Sequence, residues 1–133
     1  RLGKKLLRVE NLMHAGEAMP RVAVTAKMPD VIYEMSKKGL GMTTVVDAQG
    51  RLAGILTDGD LRRLMQQRGA ATLDLVVGDC VTKSPQTIAP GELAGSALRI
   101  MEERKITSLV VIDAERRPVG VVHLHDLWTL ELF

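Results

Sequence analysis

The sequence predicts an α/β (α+β) fold made of two pseudo-symmetric repeats packed into one module. Three observations carry that expectation. Gly54-Ile55-Leu56-Thr57-Asp58-Gly59-Asp60-Leu61 returns 66 residues later as Gly120-Val121-Val122-His123-Leu124-His125-Asp126-Leu127. At that offset residues 35–61 and 101–127 are identical at eight positions: Met35/Met101, Val45/Val111, Asp47/Asp113, Ala48/Ala114, Arg51/Arg117, Gly54/Gly120, Asp60/Asp126 and Leu61/Leu127. Chance gives about two, at ~6% identity for ordinary composition. Each copy also reads in the order strand, helix, strand, strand, helix. Finally, 133 residues at 46% hydrophobic content can bury a core, whereas one copy alone has too little apolar surface to stand by itself. A duplicated unit also places any site twice, about a pseudo-two-fold axis.

The elements follow in order. Residues 1–8 read as a linker from a preceding domain, and Val9–Met13 as a first turn. Arg21–Thr25 alternates apolar and polar residues as a short half-buried strand does. Met28, Val31, Ile32 and Met35 fall at helical spacing, with Pro29 tolerated in the first turn and Gly39 and Gly41 at the end. Thr43–Asp47 is β-branched and strand-like, Ala48–Arg51 is a hairpin turn with Gly50 suited to positive φ, and Leu52–Leu56 returns. Thr57 or Asp58 caps a helix through Leu61, Leu64 and Met65. Gln66–Ala71 reads as a linker and Leu73–Cys80 as a counterpart of Val9–Met13. In the second copy Gln86–Ala89 is the short strand, and Leu93, Ala94, Ala97, Leu98 and Met101 form a helical stripe. Ser108–Asp113 and Pro118–His123 pair around Ala114–Arg117, and Leu124–Leu132 closes the repeat. The repeats are expected at residues 9–68 and 69–133.

Composition excludes several classes. The aromatic residues are only Tyr33, Trp128 and Phe133, too few to form base-stacking platforms for single-stranded nucleic acid. A net charge of +2 argues for neither nucleic acid nor an anionic membrane as partner. The lone Cys80 rules out an internal disulfide framework and fits a reducing, cytoplasmic setting. No apolar run reaches the ~18–20 residues that span a bilayer, and no signal peptide opens the chain. The missing initiator Met fits a piece of a longer protein.

The phrase Gly54-x-x-Thr57-x-x-Asp60 has a mechanical reading. A strand ends, Thr57 sits at the strand–helix junction, and Asp60 lies one helical turn on, so hydroxyl and carboxylate share a side. A carboxylate that accepts from two vicinal hydroxyls holds a ribose, while a Thr hydroxyl and free helical N–H groups suit a phosphate. The plainer reading, that Thr57 and Asp60 only cap the helix, stays open beside it. In the second copy His123 replaces the Thr, and Asp126 matches Asp60. His123 and His125, two apart, suggest a metal pair, but the chain bends into a helix there and only His14 remains as a further imidazole, so no metal is expected. Arg62 is either a solvated helix charge or reaches an anion, and Lys83 has the same two readings. No nucleophile–base pair stands out, so no catalytic residue is assigned.

This duplicated unit, with Gly-hydrophobic-x-Thr-x-x-Asp at its last strand–helix junction, resembles the cystathionine-β-synthase (CBS) domain family over about residues 9–132. Two such domains form a pair, or Bateman module. The resemblance implies a small-molecule sensor whose clefts between repeats take adenosyl or other nucleotide ligands. Thr57, Asp60, His123 and Asp126 are then ligand residues. Met42, Thr43, Thr107 and Ser108 lie beside the base, and Arg62, His125 and Lys83 lie near negative charge. It also implies a homodimer, through the Met-rich helices 28–38 and 93–104 and the apolar tail at Trp128 and Phe133.

The wording Leu6-Leu7-x-Val9-x-x-Leu12-Met13-His14, Lys38-x-Leu40-Gly41-Met42-Thr43 and His123-x-His125-Asp126-Leu127 is further similar to the C-terminal part of bacterial D-arabinose 5-phosphate isomerases. That likeness implies a regulatory fragment, without activity or cofactor of its own, joined to an N-terminal sugar isomerase domain. These enzymes supply the precursor of the lipopolysaccharide sugar Kdo. The implied ligand is a nucleotide or nucleotide-sugar, with CMP-Kdo as a feedback signal and an adenine nucleotide as runner-up. A structural dimerisation module with a vestigial cleft is the alternative.

Overall fold

In each repeat an aspartate builds the central hairpin. Oδ1 of Asp47 accepts from the N–H groups of Gln49 and Arg51, both at 2.9 Å, and Oδ1 of Asp113 accepts from Glu115 and Arg117 at the same distance. A short polar side chain that bonds backbone two residues on pins a tight turn. The turn then needs one left-handed residue. Gly50 takes φ 80° in the first copy, while Arg116 bears φ 66° in the second, without glycine's freedom.

The computed structural model describes residues 6–130. Its elements run β1 (Arg21–Ala23), α1 (Met28–Lys38), β2 (Met42–Val46), β3 (Leu52–Thr57), α2 (Asp58–Arg68), β4 (Thr87–Ile88), α3 (Ala94–Arg104), β5 (Ser108–Ile112), β6 (Pro118–His123) and α4 (Leu124–Trp128). Single 3-10 turns lie at Val9–Asn11, Gly16–Ala18 and Val77–Asp79, and a longer one at Gly69–Asp74. Each sheet has three strands, β1-β2-β3 and β4-β5-β6. The first pair of each sheet is parallel and the second antiparallel. The strand order, the paired hairpins and the two helices per repeat are those the sequence predicts.

Two compact units result. One is Pro20–Pro85; the other joins the segment ending at Met19 to the chain from Gln86 onward. Each unit is therefore completed by a segment that precedes, in sequence, the other repeat. In the first unit the N–H of Met28 donates to Leu75 C=O (3.1 Å), that of Val77 to Ala26 (2.9 Å) and that of Gly78 to Val24 (2.9 Å). In the second, Ala94 donates to Leu7 (2.8 Å), Val9 to Glu92 (2.8 Å) and Glu10 to Pro90 (3.0 Å). The same three bonds are made twice.

The completing segments then cross the outer strand of each sheet. Thr82 exchanges two backbone hydrogen bonds with Ile55 of β3 (2.9 and 3.1 Å), and His14 exchanges two with Val121 of β6 (2.8 and 3.0 Å). The crossing explains the repeated glycine. A Cβ on Gly54 would lie 2.6 Å from the Thr82 carbonyl oxygen and 2.8 Å from Val81 Cβ, and one on Gly120 would overlap the Met13 side chain. The group that approaches Gly54 is the chain itself.

Each unit has its own core. Met28, Val31, Met35, Val45, Leu56 and Val77 fill the first; Val9, Ile88, Ala94, Ala97, Leu98, Met101, Leu109, Val111, Val122 and Leu127 fill the second. The Met-rich helical faces expected at a dimer surface are thus spent inside, since Met28, Met35 and Met101 are buried. Polar atoms inside are matched: Thr44 Oγ1 donates to Pro20 C=O at 2.7 Å and Thr43 Oγ1 to Thr44 C=O at 3.0 Å. No helix among the described residues is long and apolar enough to cross a membrane.

Three expectations need correction. Gln66–Ala71 is no linker: α2 runs to Arg68, and a 3-10 turn follows over Gly69–Asp74, pinned by Thr72, which is buried and donates to Leu64 C=O at 3.2 Å. β1 stops at Ala23 because Val24 and Thr25 turn toward α1. The closing helix ends at Trp128, and the rest of its expected span beyond residue 130 lies outside the described residues, as does Phe133.

Gly54→Ala and Gly120→Ala are each expected to lower unfolding stability by about 1–3 kcal/mol, the usual cost of overpacking a closed site. Gly95→Ala, in exposed helix with nothing within 4 Å, should raise it by up to ~1 kcal/mol. Urea denaturation of the three variants checks both signs. A neutral Gly54→Ala would contradict the crossing.

Candidate ligand-binding junctions

Each closing helix begins with a reciprocal cap. At the first junction Thr57 Oγ1 accepts from the Asp60 N–H (3.1 Å) while Asp60 Oδ2 accepts from the Thr57 N–H (3.0 Å). At the second, Asp126 Oδ2 accepts from the His123 N–H (3.1 Å), and His123 Nδ1 accepts from the His125 N–H (3.2 Å). A ring nitrogen that accepts a hydrogen bond carries no proton, so this network assigns the His123 proton to Nε2. The imidazole replaces the hydroxyl as a cap and keeps one N–H donor in hand. The likeness of the junctions extends to the residues just before β2 and β5: Asp58 N–H donates to Gly41 C=O (2.9 Å) and Leu124 N–H to Thr107 C=O (2.8 Å).

Both carboxylates also hold the crossing segment. Thr82 Oγ1 donates to Asp60 Oδ2 at 3.3 Å, and His14 Nε2 lies 2.9 Å from Asp126 Oδ2. Arg63 Nη2 adds a third partner at the first junction, 2.6 Å from Asp60 Oδ1. Burial pushes the Asp60 carboxyl up, but the Thr57 N–H, the Arg63 guanidinium and the Thr57 hydroxyl outweigh it and hold the pKa below the ordinary aspartate value.

The other expected site residues fall into two groups. Met42 and Thr43 are buried, so their side chains are closed to solvent. Arg62, Lys83, Thr107 and His125 are exposed, and Ser108 is half-buried. Arg63, rather than Arg62, reaches Asp60. His14, Arg63 and Thr82 escaped the sequence reading. A signal for two of them exists: Leu73–Cys80 is the counterpart of Val9–Met13, and Val9–His14 aligned with Val77–Thr82 puts His14 opposite Thr82. Burial raises the Cys80 thiol pKa, which leaves it a weak nucleophile. A cavity of about 280 Å³ borders the first junction, between the C-terminal half of α1 and the start of α2. It is lined by Ile32, Met35, Ser36, Gly39, Gly41, Asp58 and Leu61.

Two three-stranded sheets with helix-capping carboxylates at matched strand–helix junctions define a tandem α/β module. The CBS domain model matches residues 9–67 and 77–127, and the chain belongs to the CBS domain family. Among characterised relatives, arabinose 5-phosphate isomerase KdsD of Pseudomonas aeruginosa is 46% identical over 127 residues, covering 95% of this chain and 39% of that protein. The Escherichia coli K12 enzyme is 42% identical, covering 95% and 38%. The chain thus spans about two fifths of the length of these relatives. Solved structures share the fold. CBSX2 in complex with AMP superposes with TM-score 0.78 at 24% identity, covering 94% of this chain and 96% of that one. The CBS domain pair of protein MJ0100, in complex with 5′-methylthioadenosine and S-adenosyl-L-methionine, superposes with TM-score 0.83 at 20% identity, covering 95% and 96%.

Asp60 fixes a testable sign. Its folded pKa is depressed, so its contribution to stability is complete above the unfolded value of about 3.9 and is lost as pH falls through the folded value. Asp60→Asn should lower stability at neutral pH and flatten the acid limb below about pH 4. Denaturant midpoints measured from pH 7 to 2 check this; an unchanged acid limb would refute it. Thr57→Ala should cost about 1 kcal/mol by loss of the cap.

Proposed function

We propose that this chain is a ligand-sensing CBS pair, that it takes a nucleotide or nucleotide-sugar, and that it serves as the regulatory part of a D-arabinose 5-phosphate isomerase. The single observation that carries the reading is the capping carboxylate at each junction, Asp60 and Asp126, set beside a hydroxyl or imidazole. One carboxylate accepts from two vicinal hydroxyls and so holds a ribose; Thr57 or His123 lies near its phosphate. The KdsD relatives support the isomerase context, and the AMP, methylthioadenosine and S-adenosylmethionine complexes of the structural relatives support an adenosyl or other nucleotide class.

The favoured ligand is CMP-Kdo, acting as a feedback signal, with an adenine nucleotide as runner-up. CMP-Kdo carries one phosphate, one carboxylate and a ribose, and Arg62, Lys83, His123 and His125 balance a modest negative charge. Met42, Thr43, Thr107 and Ser108 lie beside the base, where the buried pair offers backbone groups rather than side chains. The chain itself carries no isomerase activity in this reading. It acts in the cytoplasm as a homodimer, and Tyr33, Met65 and Trp128 are among its large exposed apolar residues, with Leu6, Leu73 and Leu93. One observation favours the second reading, a dimerisation module with a vestigial site: both carboxylates are already occupied in capping their own helices.

Thermal-shift and calorimetric titration with CMP-Kdo, CMP, AMP and ATP separate the two. A true ligand at one hundred times Kd should stabilise the fold by ~2.7 kcal/mol, and CMP-Kdo should bind most tightly. Failure of all four to bind below millimolar concentration gives the structural reading. Detectable turnover of arabinose 5-phosphate by the pure chain would overturn the assignment as a regulatory part.

A further inference from the structure

The cavity beside the first junction is built from residues of the first unit alone. Its volume is about 280 Å³; Ile32, Met35 and Leu61 give it an apolar lining, Ser36 and Asp58 a polar one, and Gly39 and Gly41 bare backbone. Small-molecule pockets run from about 300 Å³ upward, so this one suits an occupant well below the size of a nucleotide. The second repeat shows what the fold itself accepts at these places. At the 66-residue offset Ser36, Gly39, Gly41 and Asp58 become Glu102, Lys105, Thr107 and Leu124. Lys105 makes at φ 56° the left-handed turn that Gly39 makes at φ 72°, and Leu124 packs against the core of its unit. The fold therefore tolerates a side chain at the first place and a space-filling apolar one at the last. In the first unit a Cβ on Gly39 would meet nothing within 4 Å, and a carboxylate stands where the leucine packs.

We infer that this cavity is a site for a small organic cation, an ammonium group on a short aliphatic stem, with Asp58 as its counter-ion. The Asp58 carboxylate has no hydrogen-bond or ion-pair partner among the described residues, and its Oδ2 lies 3.3 Å from where a Cβ on Gly41 would stand, at the cavity wall. Helix α1 ends at the same cavity. Its last carbonyls lack intrahelical partners, and the helix dipole adds negative potential there. The start of α2 opposes this only weakly, because the N–H groups of Asp58 and Asp60 are taken by Gly41 C=O and Thr57 Oγ1. Lys37 and Lys38, in the last turn of α1, do not line the cavity, and Lys38 is held by Glu34 at 2.7 Å. An ammonium group can therefore donate to Asp58 and to Ser36 Oγ while its stem covers Ile32, Met35 and Leu61. The site is separate from the nucleotide reading. It shares with the first junction the opening turn of α2, so an occupant bears on the Thr57–Asp60 cap.

Two-dimensional amide NMR of the chain titrated with n-butylammonium chloride, against n-butanol and sodium butyrate at matched ionic strength, tests this. n-Butylammonium should shift the amides of Gly39, Gly41, Asp58 and Leu61 with a Kd of about millimolar order, as so small a ligand allows. Asp58→Asn should weaken binding by about tenfold, as loss of one charge-assisted hydrogen bond does. Asp58→Leu, which installs the residue that the second unit accommodates, should fill the cavity and abolish the shifts. Ser36→Glu, again the second unit's own residue, should tighten binding by about two- to fivefold. The remaining amides report that each variant is folded. Equal affinity for n-butanol, an unchanged Kd in Asp58→Asn, or no shift of these four amides at tens of millimolar n-butylammonium would overturn the inference. Loss of self-association by Asp58→Asn in light scattering would assign the carboxylate to a basic side chain of a second copy, and would overturn a free-ligand site as well. Nucleotide binding is read by the separate titrations above, so either reading can fail without the other.

Discussion

The feature on which the rest of the structure depends is the two-bond crossing of a short segment over the outer strand of each sheet. Strands β3 and β6 would otherwise present an open edge, a template for uncontrolled pairing. Thr82 and His14 close those edges with near-identical hydrogen bonds. The crossing demands glycine at positions 54 and 120. It also delivers a polar side chain to the start of the following helix, where it meets the capping carboxylate. One local pairing therefore sets the shape of the sheet, the identity of the repeated glycine and the chemistry of the junction.

The repeated residues are largely accounted for by such structural duties. Asp47 and Asp113 hold the hairpin turns, Met35, Val45, Met101 and Val111 fill the cores, and Asp60 and Asp126 cap helices. Identity between the copies consequently argues for a shared fold more strongly than for a shared ligand. The chemistry that distinguishes the junctions lies at positions where the copies differ: Thr57 against His123, Thr82 against His14, and Arg63 against Thr129. All three histidines of the chain lie in the second unit.

A carboxylate that caps a helix and also binds a ligand serves two roles with one group. A reciprocal cap is worth about 1 kcal/mol, and it fixes the carboxylate before any ligand arrives. Preorganisation of this kind lowers the ordering cost of binding. It also explains how such a junction persists as pure structure when its ligand is lost, because the cap alone is reason enough to keep the Asp.

Much of the architecture was legible in the sequence because it rests on local rules. The 66-residue offset, the period-2 and helical spacings, and the Gly-x-x-[Thr/His]-x-x-Asp phrase are short-range signals, and they located every strand and helix to within a few residues. They also named Thr57, Asp60, His123 and Asp126 as the junction residues. What only the tertiary structure decided was who meets whom across long sequence distance. Leu7–His14 completes a unit built from residues more than 70 positions away, so no local pattern pairs His14 with Asp126. Gln66–Ala71 reads as a linker in sequence because polar helix surface and polar loop share a composition, and burial of Thr72 distinguishes them only in three dimensions. Arg62 and Arg63 are likewise indistinguishable by type, and the helical phase chose between them: three residues from Asp60 reaches the carboxylate and two does not.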